Sequence, residues 1–456
     1  MRVIVCGAGQ VGVSIARQLA LEGMDVVVVD QSATLAQRLG DSLDVQAITG
    51  HASDPEVLQL AGAEYADMII AATVSDEVNM VACQVAHSLF GVTKKIARVR
   101  TQGYLSEKWK SMFARDHMPI DVIISPEAEV ARAVVRRATS PGVFELIPLM
   151  DDLARLIGVR IGEDCPVINT PLRQLTALFP DLQITVLGIS RGDKYFVPKS
   201  DDQIFPKDRV YFMVATQHVE RAMAAFGHHE REARRALIIG GGNIGLRIGE
   251  ALGAGSVAVR VVERDRIQAE HADQTLAGAI VINGDALDPE ILEEAGASVS
   301  DTAIAVTNDD QTNILASLLA KRLGARRTIA LINRASFSTL VSPLDIDVVV
   351  NPRDITISTI LRHVRRGRVR EVHSIGDGFG EVLELDALAT SGIVNKTIGE
   401  LAMPEGAIIG AILRNGVVEM PKPSTSIRES DRVVIFAEER VVRKIERLFE
   451  VRLEFF

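Results

Sequence analysis

The chain alternates short apolar runs with longer segments whose apolar residues recur at helical spacing. Runs rich in Val and Ile, without polar residues between them, are typical of strands buried on both faces of a parallel sheet. Their alternation with helix-length segments predicts a β-α-β order. The apolar runs are residues 3–6, 26–29, 45–48, 68–72, 96–99 and 121–124, then 236–239, 257–262, 279–282, 303–306 and 328–332.

The second set of runs repeats the first. Two G-x-G-x-x-G motifs begin 233 residues apart, and after one added residue the matched positions lie 234 residues apart. A register kept over such a length predicts a tandem duplication. The matched pairs include Gly7 and Gly240, Asp30 and Glu263, Thr73 and Thr307, Asp76 and Asp310, Asn79 and Asn313, and Arg100 and Arg334.

Each copy is predicted to be an α/β unit: a Rossmann-like domain with a doubly wound parallel sheet, followed by a small α+β C-terminal domain. Ser125 and Pro126, followed by acidic residues, have the composition of a helix N-terminus, and their counterpart begins at Asn351. We call these two segments the crossover helices. The predicted divisions are 1–125 (Rossmann-like), 126–140 (crossover helix), 141–227 (small domain), 228–235 (charged linker), 236–351 (Rossmann-like), 352–368 (crossover helix) and 369–456 (small domain).

A G-x-G-x-x-G motif alone is weak evidence for a nucleotide site. Here each motif follows an apolar strand, precedes a helix and is followed by an acid 18 residues beyond its last glycine, at Asp30 and Glu263. The three glycines allow, in order, a tight turn, the close approach of a diphosphate and the packing of the helix on the strand. The carboxylate of the acid accepts hydrogen bonds from the ribose hydroxyls. This predicts binding of NAD, NADH or another adenine nucleotide rather than NADP. Arg264 weakens that preference in the second copy, and a glycine turn that binds nothing is the alternative in both.

Candidate contact residues lie at the motifs and at the ends of the predicted strands, where ligands bind in such sheets. Arg98 could clamp phosphate or could be a solvated surface residue, and it aligns with Ile332. His51 could contact adenine or be an ordinary loop residue, since it aligns with Asp285. The candidates are Gly7, Ala8, Gly9, Gln10, Val11, Gly12, Asp30, His51, Ala52, Thr73, Val74 and Arg98, and in the second copy Gly240, Gly241, Gly242, Asn243, Ile244, Gly245, Glu263, Asp285, Thr307 and Asn308.

Composition narrows the functional classes. The 456 residues are 47% apolar and 24% charged, which indicates a globular protein. A net charge of −10 and an aromatic content of 4% argue against nucleic acid as a partner. The three cysteines lack C-x-x-C spacing, so neither a disulfide framework nor a zinc site is expected. With no signal peptide and no long apolar span, a soluble cytoplasmic protein is predicted, and any membrane action would require docking.

Catalytic signatures are missing from the sequence. No histidine recurs between the copies, and no H-E-x-x-H, G-x-S-x-G or P-loop motif occurs. We therefore expect no catalytic residues, no metal site and no enzymatic activity, and interpret the two sites as sensors whose occupancy shifts a conformational equilibrium. The alternatives are an NAD-dependent oxidoreductase with its active site between subunits and a scaffold that binds no nucleotide.

Several segments resemble the TrkA family, the regulatory subunits of bacterial Trk potassium-uptake systems with two RCK or KTN modules per chain. They are CGAGQVG (6–12), DEVNMVACQ (76–84), IARVR (96–100), GGGNIG (240–245), AVTNDD (305–310) and LAKR (319–322). The resemblance covers essentially the whole chain. It implies a peripheral protein on the inner face of the plasma membrane that docks on the integral-membrane potassium-translocating subunit.

The resemblance also implies an assembly and a set of ligands. A homotetramer would form a ring of eight modules, and NAD(H) and ATP or ADP would be its ligands. Because Ile332 departs from the arginine of the first copy, phosphate binding by the second copy is in doubt. The basic cluster between Arg362 and Arg370 is a candidate surface for an acidic partner or lipid headgroups, or is a solvated face.

Overall fold

The computed structural model describes residues 1–21, 23–114, 116–140, 142–178, 183–192, 194–228, 233–334, 337, 341, 344–364, 369–376 and 378–449. The chain forms two compact units, each described by itself. The first is Met1–Val130 with Asn351–Val364, and the second is Ala131–Val350 with Arg365–Phe456.

The first unit contains a six-stranded parallel sheet in the order β3-β2-β1-β4-β5-β6. Alternate residues of each central strand enter different cores, for example Ile4 on one face and Val3 and Val5 on the other. Burial of both faces is the reason that the strands are uninterrupted apolar runs. The strands are β1 (Arg2–Cys6), β2 (Asp25–Asp30), β3 (Gln46–Thr49), β4 (Met68–Ala71), β5 (Lys94–Arg98) and β6 (Val122–Ile124).

Helices connect these strands as predicted. Ser32, Asp54 and Ser75 accept hydrogen bonds from backbone N–H groups in the first turns of the helices that follow them, which fixes where those helices begin. The helices are α1 (Gln10–Leu21), α2 (Ala33–Ser42), α3 (Pro55–Leu60), α4 (Asp76–Phe90), α5 (Gln102–Leu105) and α6 (Pro126–Thr139), of which α6 passes from the first unit into the second.

The small domain of the first copy is an antiparallel sheet of order β10-β9-β11-β8-β7. The hairpin of β7 and β8 was not predicted from the sequence. Its elements are β7 (Val143–Leu149), β8 (Ala154–Arg160), α7 (Leu172–Leu178), β9 (Ile184–Arg191), β10 (Lys194–Phe196), β11 (Arg209–Ala215) and α8 (Val219–Ala225).

The second Rossmann-like domain repeats the first, with the parallel order β14-β13-β12-β15-β16-β17. Its first strand begins at Arg235, so the predicted linker ends one residue earlier than expected, and residues 229–232 of that linker lie outside the described residues. The elements are β12 (Arg235–Ile239), α9 (Asn243–Ala254), β13 (Ala258–Glu263), α10 (Arg266–Thr275), β14 (Ile280–Asn283), α11 (Pro289–Glu294), β15 (Thr302–Ala305), α12 (Asp310–Arg322), β16 (Thr328–Leu331) and β17 (Val348–Val350).

The last part of the chain holds the second crossover helix and the second small domain, whose sheet has the order β18-β19-β22-β20-β21. Its elements are α13 (Pro352–Val364), β18 (Val369–Ile375), β19 (Gly380–Asp386), β20 (Ala407–Arg414), β21 (Val417–Glu419), β22 (Arg432–Glu438) and α14 (Val442–Phe449). Short 3-10 segments are Ala63–Tyr65, Glu107–Phe113, Thr216–His218, Ala297–Val299, Ile398–Glu400 and Glu439–Val441.

The second crossover helix packs against the first copy. Ile360, Leu361 and Val364 of α13 are buried in the first unit, in one core with Ile15 and Leu19 of α1. The sequence predicted this helix but not that it would cover the Rossmann-like domain of the other copy.

The two small domains share an apolar core within the second unit. One face of each sheet is covered by its own helices, and the other faces meet through Leu156, Tyr211 and Met213 of the first and Val434 and Phe436 of the second. The predicted fold class, two tandem Rossmann-like domains each followed by a small α+β domain, is confirmed. Within the described part of the chain, no helix is long and apolar enough to cross a membrane.

Candidate functional site

The first glycine of each motif forms the turn from strand to helix. Gly7 and Gly240 have φ angles of +108° and +110°, which residues with a Cβ rarely adopt. A Cβ at Gly7 would lie 3.0 Å from the carbonyl oxygen of Ala72, and one at Gly240 would lie 3.1 Å from the amide nitrogen of Thr307. The turn therefore places the motif directly beside the end of the fourth strand of each sheet.

The other two glycines have different surroundings. A Cβ at Gly12 would lie 1.8 Å from the carbonyl oxygen of Gly7, and one at Gly245 would lie 1.9 Å from that of Gly240. A Cβ at Gly9 would meet no described atom within 4 Å. The third glycine is thus required by helix packing, while the second borders open space at the N-terminus of α1, where free N–H groups attract anions.

The acids at the ends of β2 and β13 hold the glycine turns. The carboxylate of Asp30 accepts hydrogen bonds from the N–H groups of Ala8 (2.6 Å) and Ser32 (2.8 Å). Glu263 does the same for Gly241 (2.6 Å) and Asp265 (2.9 Å). Each carboxylate oxygen keeps a second lone pair, so these acids can shape the turn and also accept a ribose hydroxyl.

Thr73 and Thr307 follow the fourth strand, and a buried asparagine holds each of them. The Oδ1 of Asn79 accepts from the N–H (2.8 Å) and the hydroxyl (2.7 Å) of Thr73. Asn313 binds Thr307 with the same two distances. The Nδ2 of each asparagine donates to the end of the fifth strand, at the carbonyl oxygens of Arg98 (2.9 Å) and Leu331 (2.8 Å).

An acid three residues before each asparagine holds the loop after the fifth strand. Asp76 accepts from the backbone N–H groups of Arg100 and Thr101 at 3.0 and 2.8 Å, and Asp310 accepts from those of Asn333 and Arg334 at 2.8 and 3.0 Å. In the sequence, these acids and asparagines stand out only as matched positions of the repeat. Their recurrence in both copies was the signal for a structural role.

Arg98 distinguishes the two candidate nucleotide sites, which we call the first crevice (beside Gly9) and the second crevice (beside Gly242). Its Nη2 donates to the carbonyl oxygen of Thr73 at 2.8 Å, while its Nε is buried and has no hydrogen-bond partner among the described residues. Burial, and to a lesser degree the neighbouring cation Arg100, lowers the pKa of Arg98 from its ordinary value. A half-buried guanidinium whose Nε–H has no partner in the described part of the chain fits an anionic ligand group. Its counterpart Ile332 is fully buried and offers no donor.

The remaining predicted residues lie around the same edge. Gln10 and Asn243 begin α1 and α9, while Val74 and Asn308 are exposed beyond the fourth strand. His51 is exposed and pairs through Nδ1 with the hydroxyl of Ser53 at 2.8 Å. The others contribute in different ways: Ala8 and Ala52 are buried, Val11 and Ile244 are partly buried, Gly242 is the N-cap of α9, and Asp285 accepts from the N–H of Leu287.

The three cysteines are buried, and the basic cluster is only partly described. Cys6, Cys83 and Cys165 are buried and free, and burial raises the pKa of Cys6 to about 12, which leaves its thiol unreactive at neutral pH. Arg365, Arg366 and Arg368 of the predicted basic cluster lie outside the described residues. Arg370 pairs with the carboxylate of Asp386 at 2.7 Å.

Two family models match the chain, each twice. The TrkA-N domain matches residues 3–126 and 236–352, and the TrkA-C domain matches residues 156–227 and 382–450. The Trk system potassium uptake protein TrkA of Azorhizobium caulinodans is 50% identical over the full length of both chains. That of Halomonas elongata is 38% identical over both full lengths, and a TrkA homolog of Archaeoglobus fulgidus is 30% identical over 98% of this chain and all of its own.

Solved structures share the fold. The GsuK RCK domain superposes with a TM-score of 0.61 at 19% identity, covering 98% of this chain and 94% of its own. A GsuK channel bound to NAD has the same TM-score at 18% identity and covers 98% of this chain and 78% of its own. With a full-length relative at 50% identity and both family models matched in each half, the chain belongs to the TrkA family of Trk system potassium uptake proteins.

Proposed function

We propose that this chain is the regulatory subunit of a potassium uptake system, that it binds NAD, NADH, ATP or ADP in its Rossmann-like domains, and that binding gates a membrane-embedded potassium-translocating subunit. Family membership supports the role in potassium transport. The binding and the gating are the proposal.

The glycine geometry carries the proposal. In the first copy the third glycine is enclosed by the turn, yet the second borders open space beside helix N–H groups and an acid at the end of β2. A diphosphate fits beside the second glycine, with its ribose toward Asp30, because the backbone there is open to a close approach. Arg98 adds a half-buried cation for phosphate. The GsuK channel bound to NAD, which shares the fold, supports a nucleotide as the ligand.

Calorimetric titration with NADH, NAD, ATP and ADP tests the binding. Gly9→Ala and Gly242→Ala place a methyl group at the second glycine of each copy, where no described atom lies within 4 Å in the first copy and the nearest is 3.8 Å away in the second. Each variant is expected to lose one class of sites, as are Asp30→Ala and Glu263→Ala. Absence of binding of all four nucleotides to the natural chain would contradict the proposal.

Gating requires a separate measurement. Potassium flux through the translocating subunit, reconstituted with this chain, is expected to change when nucleotide saturates the Rossmann-like domains, because a ligand that prefers one conformation shifts the population toward it. Unchanged flux at saturation would refute gating. The location that follows from such docking is cytoplasmic, at the inner face of the plasma membrane.

We also propose that the chain acts without turnover. The proposal is supported by the carboxylates of Asp30 and Asp76 and the amide of Asn79, each of which bonds backbone groups that hold the loops of the first crevice. NADH bound to the complex should keep its absorbance at constant amplitude over hours. Oxidation of NADH by the purified chain would favour the oxidoreductase alternative.

Self-assembly is supported by apolar side chains exposed at matched positions. Tyr65 and its counterpart Val299 are exposed, as are Val81 and Leu315 on the outer faces of α4 and α12. A repeated apolar face fits contact with further modules in a homotetrameric ring of eight. Val81→Glu with Leu315→Glu should lower the mass measured by light scattering. Leu60→Glu is the control, because Leu60 is exposed but its counterpart is already Glu294.

A further inference from the structure

We propose that the side chain of Asn79 couples nucleotide binding in the first crevice to α4, with Arg98 as the part that moves. The second copy lacks this coupling because Ile332 replaces Arg98. The inference rests on the proposed function, since an anionic nucleotide must enter the crevice.

Asn79 connects three backbone segments with one amide. It is fully buried and uses all of its hydrogen-bonding capacity: Oδ1 accepts twice from Thr73, and Nδ2 donates to the carbonyl oxygens of Thr73 (3.3 Å) and Arg98 (2.9 Å). A buried amide with every bond made has one favourable position. Movement of either strand end therefore has to move Asn79, and with it the first turns of α4.

The carbonyl oxygen of Thr73 is shared between two donors. Arg98 Nη2 lies 2.8 Å from it, and Asn79 Nδ2 lies 3.3 Å from it. In the second copy, where no arginine competes, the corresponding distance from Asn313 Nδ2 to Thr307 O is 3.0 Å. The copy that contains the arginine therefore also has the longer hydrogen bond from its asparagine to the threonine carbonyl oxygen.

A nucleotide phosphate changes this balance. A phosphate oxygen carries full negative charge and a carbonyl oxygen only partial charge, so the guanidinium binds a phosphate more strongly than it binds Thr73 O. The phosphate draws the guanidinium away from Thr73 O, and that oxygen, with one donor fewer, then accepts more strongly from Asn79. The energy for the shift comes from the difference between the phosphate and the carbonyl as acceptors.

The displacement reaches the outer surface because α4 is held at its first turn. Asp76 and Asn79, one turn apart on the inner face, are bonded to the segments after β5 and β4. Val81, on the opposite face, is exposed and belongs to the proposed contact between modules. The same helix therefore carries the sensing amide and the assembly surface.

Hydrogen exchange measured by mass spectrometry tests the coupling, with ADP as the probe at a concentration that calorimetry shows to be saturating. Exchange in α4 should change severalfold on adding ADP, while α12 serves as the internal reference and should change little. ADP binding without any change in α4, or with an equal change in α12, would overturn the inference and leave the proposed function intact. If the natural chain binds no nucleotide, the proposed function itself fails.

Two variants separate coupling from binding. Arg98→Gln keeps an amide donor for Thr73 O but loses the cation, so ADP affinity in the first copy should fall about 10- to 100-fold, and α4 should no longer respond at saturation. Asn79→Asp removes both donors without changing the side-chain shape. At ADP concentrations that calorimetry shows to saturate this variant, α4 should show no response.

Asn313→Asp is the matched control for Asn79→Asp. It makes the same chemical change in the second copy and should leave the α4 response intact. If Asn79→Asp does not fold, the Arg98→Gln comparison still decides the matter. A full α4 response in saturated Arg98→Gln would show that the arginine is not the moving part.

Discussion

The guanidinium of Arg327 donates to the carbonyl oxygen of Arg137 at 2.6 Å, at the C-terminal end of the crossover helix α6. In the first unit, the ammonium of Lys94 donates to the carbonyl oxygen of His363, near the end of α13. Each cation stands at the start of the fifth strand of one copy and meets the crossover helix of the other copy. The C-terminal carbonyls of a helix carry partial negative charge, so a cation there is stabilising.

Replacing Arg327 tests whether its positive charge stabilises the C-terminal end of α6. Arg327→Gln removes a cation that also bonds the carbonyl oxygens of Ser140 and Val143, so the free energy of unfolding of the second unit should fall by about 2 kcal/mol. Thermal unfolding and hydrogen exchange at residues 131–140 measure the effect. The control is Arg326→Gln, because Arg326 is 77% exposed and its pair with Asp301 should contribute less than about 1 kcal/mol. An equal loss of unfolding free energy in both variants would contradict a stabilising role of Arg327 at the end of α6.

Gly12→Ala should destabilise the first Rossmann-like domain. The new Cβ would lie 1.8 Å from the carbonyl oxygen of Gly7, and relief of such a clash by backbone shifts costs about 1–3 kcal/mol. Calorimetric unfolding measures the loss. Gly9→Ala is the comparison, since a Cβ there meets no described atom within 4 Å and should leave the unfolding temperature nearly unchanged. An unaffected Gly12→Ala would show that the turn relaxes freely.

Lys207→Gly should stabilise the first small domain. Lys207 is exposed and has a φ of +73°, a left-handed conformation that costs a residue with a Cβ about 1–2 kcal/mol. Glycine removes that cost but loses about 0.5–1 kcal/mol through greater freedom in the unfolded chain, so a net gain of about 0.5–1 kcal/mol is expected. Denaturant titration is the measurement. Lys207→Ala keeps the Cβ and should give no gain, so a gain in that variant would point to another cause.

Glu384 gives the second unit a pH dependence. The side chain is buried at the shared core of the small domains, where Oε2 accepts from the N–H of Met150 at 2.7 Å and Oε1 lies 3.3 Å from Arg432. Burial raises the pKa of Glu384, and that effect exceeds the opposing effects of Met150 and Arg432. The folded chain therefore holds this proton more tightly than the unfolded chain. Its stabilising contribution is complete below the ordinary glutamate pKa of about 4.3 and is lost as the pH rises through the raised value.

Glu384→Gln removes this titration and keeps an acceptor for Met150. The melting temperature of the variant relative to the natural chain should therefore rise as the pH is increased from about 4 toward neutrality. Glu405→Gln, at a side chain that is 84% exposed, should show no such trend. A constant difference between Glu384→Gln and the natural chain across this range would exclude a raised pKa at Glu384.

Much of the fold was predictable because its causes are local. The G-x-G-x-x-G turn needs a left-handed glycine and a missing Cβ at Gly12, requirements that no other residue meets. Strands buried on both faces must be uninterrupted apolar runs, and the helix starts carry Ser or Asp caps. The hairpin of β7 and β8 was missed because Pro148 and Gly158 interrupt its strand pattern.

The candidate site was only partly predictable. The motif residues and the strand ends were identified from spacing, but the role of Asn79 depends on the carbonyl oxygen of Arg98, a partner 19 residues away on another strand. The sequence shows a polar residue inside a helix and does not show what it binds. Likewise, the spacing assigned Asp30 to ribose, and the structure adds that it holds the glycine turn through Ala8.

The sequence by itself determined the duplication, the two Rossmann-like domains and the position of both glycine motifs, because periodicity, turn chemistry and apolar patterning act over a few residues. Only the tertiary structure decided that α13 covers the first copy and that the two small sheets share one core. An apolar helix face or sheet face requires burial but does not specify its partner. Two similar copies in one chain offer nearly equivalent surfaces, and contacts such as those of Lys94 and Arg327 exist only once the chain has folded.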